Sequence, residues 1–188
     1  YPAARGHYTV ALPAPTGTEE ETSSAKRWRE RFAPKGSPYG TIVQTLLGPG
    51  HFDIAPPDSA DLVLTFRNLH NWMEDGYAEQ VLAACFKALK PGGILGIEAH
   101  RGRTDQPQDP KAKSGYVRED YAVKLAKAAG FELAGASEVN ANPRDTKDWP
   151  EGVWTLPPTL TLGDKDRAKY IAIGEADNFV LKFRKPGH

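Results

Sequence analysis

Residues 61–99 read DLVLTFRNLHNWMEDGYAEQVLAACFKALKPGGILGIEA, and this stretch decides the fold. Asp61-Leu62-Val63-Leu64-Thr65-Phe66 is a nearly continuous apolar run, the pattern of a central parallel strand covered on both faces. Ala78, Val81, Leu82, Cys85, Phe86 and Leu89 then recur at i, i+3, i+4, i+7, i+8 and i+11, which is one face of a helix. Lys90-Pro91-Gly92-Gly93 ends it, because proline presets a turn and glycine supplies positive φ. Ile94-Leu95-Gly96-Ile97-Glu98-Ala99 is the next strand. Strand, helix and strand in succession imply a right-handed parallel crossover.

The unit recurs downstream. Ala122, Leu125, Ala126 and Ala129 keep helical spacing, Gly130 stands where a C-terminal cap is wanted, and Phe131-Glu132-Leu133 begins another strand. Phe179-Val180-Leu181-Lys182-Phe183-Arg184 alternates apolar and basic after a polar turn, as expected of a last, antiparallel strand at or near an edge. Lys169 to Ile173 reads equally as strand or helix. Upstream, His7-Tyr8-Thr9-Val10-Ala11-Leu12 and Thr41-Ile42-Val43-Gln44-Thr45-Leu46-Leu47 read as strands, the first stopped by Pro13 and Pro15 and the second by Gly48-Pro49-Gly50. Between them Thr18 and Glu21 form an expected capping box ahead of Ala25, Trp28 and Phe32, and residues 35–40 form a loop. The sum is an α/β fold: a doubly wound, mostly parallel sheet with an antiparallel last strand.

The chain has 188 residues, enough for one domain, and the reading treats 1–188 as a single domain with a long Pro/Trp excursion at 140–165. Lys plus Arg and Asp plus Glu both number 24, so there is no basic field for nucleic acid or an anionic membrane, and neither partner is expected. No apolar run approaches membrane-spanning length. Cys85, the only cysteine, lies on the apolar helix face and reads as buried packing. His51 with Asp53 lacks further ligands at recognisable spacing, so no metal is expected. The nucleophile elbow, the phosphate-binding loop with its lysine and the dinucleotide Gly-x-Gly-x-x-Gly are all absent from the sequence, which removes the main support for hydrolase, NTPase and ordinary dehydrogenase readings.

Ligands of open α/β sheets bind outside the carboxyl ends of the strands, so the segments after Phe66 and Ala99 are the ones to inspect. Asn68, His70, Asn71 and Trp72 place amides, an imidazole and an indole there. The alternative is that Asn68 and Asn71 cap the next helix and Trp72 covers the core. His70 is the candidate general base, having the side chain whose ordinary pKa lies nearest neutrality, although a hydrogen-bonded structural histidine is the competing reading. His100 and Arg101 follow the next strand and are candidate substrate contacts. Trp149 and Trp154 either close over a substrate or pin the 140–165 excursion to the core.

In this order, Pro57-Asp58-Ser59-Ala60-Asp61-Leu62-Val63-Leu64, Asn68-Leu69-His70, Leu89-Lys90-Pro91-Gly92-Gly93, Ile94-Leu95-Gly96-Ile97-Glu98 and Ala128-Ala129-Gly130-Phe131 resemble the class I S-adenosylmethionine-dependent methyltransferases. Asp166 to Glu175, taken with Asn68 to Trp72, looks like a group of uncharacterised bacterial predicted methyltransferases. The resemblance implies methyl transfer from S-adenosylmethionine to a small-molecule acceptor, with Asn68, Leu69 and His70 at the cofactor or transfer site. It makes residues 7–12, 41–47, 61–66 and 94–99 the second to fifth strands of the family sheet. The first strand and its Gly-rich turn would then lie before Tyr1. The acidic residue that ends the family's second strand is replaced by Pro13-Ala14-Pro15. A second reading is a non-catalytic α/β binding or assembly module on the same scaffold. Pairing of exposed strands between two subunits would make a homodimer. The compartment is expected to be either cytoplasmic or, as in the resembling group, exported.

Overall fold

The computed structural model describes residues 6–17, 21–32 and 42–187. Two parallel strands come first, β1 (Tyr8–Pro13) and β2 (Ile42–Leu47), with α1 (Ser23–Phe32) between them. The second sheet has the order β3-β4-β6-β5, built from β3 (Ala60–Phe66), β4 (Leu89–His100), β5 (Glu132–Ser137) and β6 (Asn178–Arg184). Helices α2 (Leu69–Glu74), α3 (Ala78–Ala88), α4 (Glu119–Ala128) and α5 (Arg167–Ile173) complete the chain, with a 3-10 turn at Gly152–Thr155. No described helix is long and apolar enough to cross a membrane.

The crossover forms as read from 61–99. β3 and β4 are parallel neighbours, and α3 between them buries Ala78, Val81, Leu82, Cys85 and Ala88. Pairing jumps from Ala60–Leu89 to Leu62–Ile94, so Lys90, Pro91, Gly92 and Gly93 bulge out of the ladder and Gly92 takes φ +79°. The core lies on one face of this sheet, where Leu95, Ile97, Ala99, Phe179, Leu181 and Phe183 meet α2, α3 and α4. Burial of each Leu, Ile and Phe side chain among these contributes roughly 1.5–3 kcal/mol relative to leaving it exposed. Cys85 is part of this core, and burial pushes its thiol up to about 12, which removes it as a nucleophile.

Several expectations are corrected. The last strand is antiparallel and near an edge, as expected, but one strand in from it: β6 runs between β4 and the edge strand β5, with Phe179, Leu181 and Phe183 at most 1% exposed. Its alternation reflects burial of one face, not an edge position. β3 is the outer strand of its sheet and is covered on one face only, since Leu62, Leu64 and Phe66 are 50, 53 and 56% exposed. An unbroken apolar run does not report which face is covered. Leu64 lies flat over Gly96, where any Cβ would stand 2.7 Å from its Cδ2. α1 is capped by Thr22, whose hydroxyl accepts the Ala25 N–H at 3.2 Å, whereas Glu21 stands ahead of the helix and pairs with Arg29. Thr18 and the 35–40 loop lie outside the described residues. Residues 169–173, undecided in sequence, are helical.

β6 is tied at its far end by Lys185. Its ammonium donates to the carbonyls of Phe86 (2.8 Å) and Leu89 (2.7 Å) and pairs with Asp58 (2.7 Å). The cation thus satisfies carbonyls that the end of α3 leaves without an intrahelical partner.

Candidate functional site

The carboxyl ends of β3 and β4 and the amino end of β6 meet at a polar cleft of about 340 Å³, lined among others by Arg67, Glu98, Asn142, Arg144, Glu175 and Asn178. Arg67 leaves β3 with φ +56°, a left-handed conformation that costs a non-glycine residue energy. Its N–H holds the Glu98 carbonyl at 2.8 Å and its guanidinium reaches Glu175 at 3.2 Å. Glu98 projects to the uncovered face of β4, paired in register with Phe66.

Beside the cleft stand two histidines. His70, in the first turn of α2, is 5% exposed; its ring lies 5.5 Å from that of His100 and 5.7 Å, edge-on, from Trp154. Asn178 donates through Nδ2 to the Ala176 carbonyl, which leaves Oδ1 to accept from His100 Nδ1 at 2.7 Å. That contact fixes the His100 proton on Nδ1 and turns Nε2 into an acceptor. His70 Nδ1 is buried and has no hydrogen-bond partner among the described residues. Burial, reinforced by His100, lowers the His70 pKa to about 4, and burial likewise lowers that of His100 against the opposing Asn178 bond. The Arg67 charge acts on His100 in the same direction. Neutral imidazoles are therefore the resting state near pH 7.

The structure brings together His70, which follows β3, His100, the last residue of β4, and Trp154 of the 3-10 turn. Asn68 is exposed at the end of β3 and makes no cap bond to α2; its Nδ2 contacts Thr65 Oγ1 at 3.3 Å. The Leu69 side chain is inside the main core. Arg101 is committed to Glu119 at 3.1 Å, Glu138 at 2.5 Å and Asp177 at 3.5 Å, so its guanidinium holds the molecule together beside the site. Trp149 lies in a second apolar cluster, edge-on to Tyr170.

The 140–165 excursion is packed. Asp145, 4% exposed, accepts from the Tyr116 hydroxyl (2.9 and 3.0 Å), Trp149 Nε1 (2.7 Å) and the backbone N–H groups of Lys147 (2.9 Å) and Asp177 (2.8 Å). The carboxylate pushes the Tyr116 hydroxyl pKa up, after burial itself. Asn142 donates to the carbonyls of Ile173 (2.9 Å) and Glu175 (2.6 Å), joining this excursion to the cleft wall. Sequence reasoning missed Arg67, Glu98, Asn142, Arg144, Glu175 and Asn178. Only Arg67 and Glu98 carried a signal, their position at strand carboxyl ends. Among the described residues no group of three or more His, Cys, Asp or Glu side chains could hold a metal ion.

Comparison with known proteins gives a fold. No family model matches the sequence, and no curated protein matches it. A S-adenosylmethionine-dependent methyltransferase from Methanosarcina mazei superposes with a TM-score of 0.59 at 14% identity, over 99% of this chain and 85% of that one. The [4+2]-cyclase SpnF gives 0.54 at 17% identity, over 88% of this chain and 62% of that one. A possible exported protein from Bordetella parapertussis gives 0.50 at 12% identity, over 88% and 51%. The chain thus spans less than two thirds of the cyclase. It has a class I S-adenosylmethionine methyltransferase-like fold.

Two outcomes are expected. Asp145→Ala strands four donors and should destabilise the protein by on the order of 3 kcal/mol or more, with proteolytic cleavage appearing within 140–165. An unfolded His70 would titrate near 6.5 and the folded one near 4, so the unfolded state binds the extra proton and stability falls as pH drops through that window. The loss from this group is roughly 3 kcal/mol. Denaturant titrations from pH 7 to 4 should show His70→Phe removing that part of the slope.

Proposed function

We propose that the protein transfers a methyl group from S-adenosylmethionine to a small-molecule acceptor at the carboxyl ends of β3 and β4. The observation that carries the reading is a polar cleft and a desolvated histidine pair at that edge, on a fold shared with a Methanosarcina mazei methyltransferase. A fold alone does not fix the reaction, as the cyclase among the similar structures illustrates.

The residues present fit such a cofactor on the β3 side. Asn68 offers an exposed carboxamide, Phe66 an exposed ring, and His70 Nδ1 a buried polar atom without a partner among the described residues. β1 ends in Pro13 followed by buried Ala14, so a carboxylate for the ribose is not supplied there. The cofactor, when bound, supplies an electrophilic methyl on a sulfonium centre. This chain's residues supply orientation and exclusion of water. His100, tethered through Nδ1 to Asn178, presents Nε2 as the acceptor for a proton leaving the methyl acceptor's nucleophilic atom. His70 is too weakly basic for that task and packs between His100 and Trp154.

Calorimetric titration of the protein with S-adenosylhomocysteine should show saturable binding, weakened about tenfold in Asn68→Ala, which loses roughly one hydrogen bond. Absence of heat with both this compound and S-adenosylmethionine overturns the reading.

A further inference from the structure

The cleft leaves two opposite charges unused. Arg67 and Glu175 pair with each other at 3.2 Å. Glu98, half-buried on β4, and Arg144, exposed in the 140–165 excursion, line the same cleft, and neither side chain has an ion pair or hydrogen bond among the described residues. The walls that carry them are fixed. Glu98 sits in a ladder between β3 and β6, with its own carbonyl held by the Arg67 N–H. Asn142 accepts the Arg144 N–H at 3.1 Å and bonds the carbonyls of Ile173 and Glu175. Asn178 is turned toward Ala176 and His100.

A rigid polar cavity with one free carboxylate and one free guanidinium is complementary to a ligand of zero net charge that carries both signs. A simple cation would leave Arg144 unanswered, and a simple anion would meet Glu98. Its volume, about 340 Å³, suits a small molecule. We propose that this cleft binds a small zwitterion, an amino acid or a similar ammonium carboxylate, with the ammonium at Glu98 and the carboxylate at Arg144. As an acceptor site it rests on the methyl-transfer reading, since the ligand's ammonium end then lies on the β4 side of the cleft, toward His100. As a binding site it does not depend on that reading.

The test is an amide-shift NMR titration of the protein with glycine, 4-aminobutanoate and 6-aminohexanoate, in which the two charges move progressively apart, against butylamine and butanoate. At least one zwitterion should bind tenfold or more tightly than either singly charged probe. Glu98→Gln should weaken it about tenfold, and Arg144→Gln, on an exposed side chain whose loss leaves the fold intact, about fivefold. Equal binding of zwitterion and butylamine, no zwitterion binding, or indifference to both substitutions overturns the proposal. S-adenosylhomocysteine is itself an ammonium carboxylate, so its parallel titration is run with the zwitterion already saturating and is read at the amides of residues 66–70, which separates the two ideas. Nucleoside binding without any zwitterion binding overturns the cleft assignment alone, and zwitterion binding without nucleoside binding overturns methyl transfer alone.

Discussion

The Asp145 carboxylate is the contact on which the 140–165 excursion and the start of β6 depend. A buried charge is tolerated only when its oxygens are saturated with donors, and here an indole, a phenol and two backbone N–H groups supply them. One of those donors, Asp177 N–H, immediately precedes β6, so the same carboxylate that closes the 140–165 excursion also sets where the inserted strand begins. Asn178 follows directly and carries His100 with it. Position at the site is thus inherited from a residue that never touches the cleft.

Charge pairing extends this arrangement to both ends of β6. At its start, Asp177 gathers Lys147 at 2.8 Å and Arg101 at 3.5 Å, while Arg101 also reaches α4 through Glu119 and the end of β5 through Glu138. At its end, the Lys185 ammonium collects the carbonyls that finish α3. Between these anchors Phe179, Leu181 and Phe183 fill the core. An antiparallel strand inserted between β4 and β5 is therefore held by apolar packing along its length and by desolvated charges at its ends. On the face opposite the core Leu62, Leu64 and Phe66 stay exposed.

What the sequence made legible is local. The helical period of α3 and the Lys-Pro-Gly-Gly turn determine β3, α3 and β4 without reference to the rest of the chain, and His70 and His100 follow because one closely trails β3 and the other is the last residue of β4. What it concealed is set by tertiary pairing. Alternation at 179–184 is the same for an edge strand and for an inserted one covered on one face. Arg67 meets Glu175, and Glu98 and Arg144 come to line one cleft, only once β6 lies beside β4, and no spacing announces that. Arg101 shows the converse case: a well-placed charged residue whose guanidinium is consumed by carboxylates from three other segments.

The central claim is that the carboxyl ends of β3 and β4 form one ligand-binding edge. Hydrogen–deuterium exchange with and without saturating S-adenosylhomocysteine tests it most directly. The account predicts slowed exchange in residues 65–72 and 98–101 and unchanged exchange in β5. Protection confined to β1 and α1, or no protection at all, would contradict it.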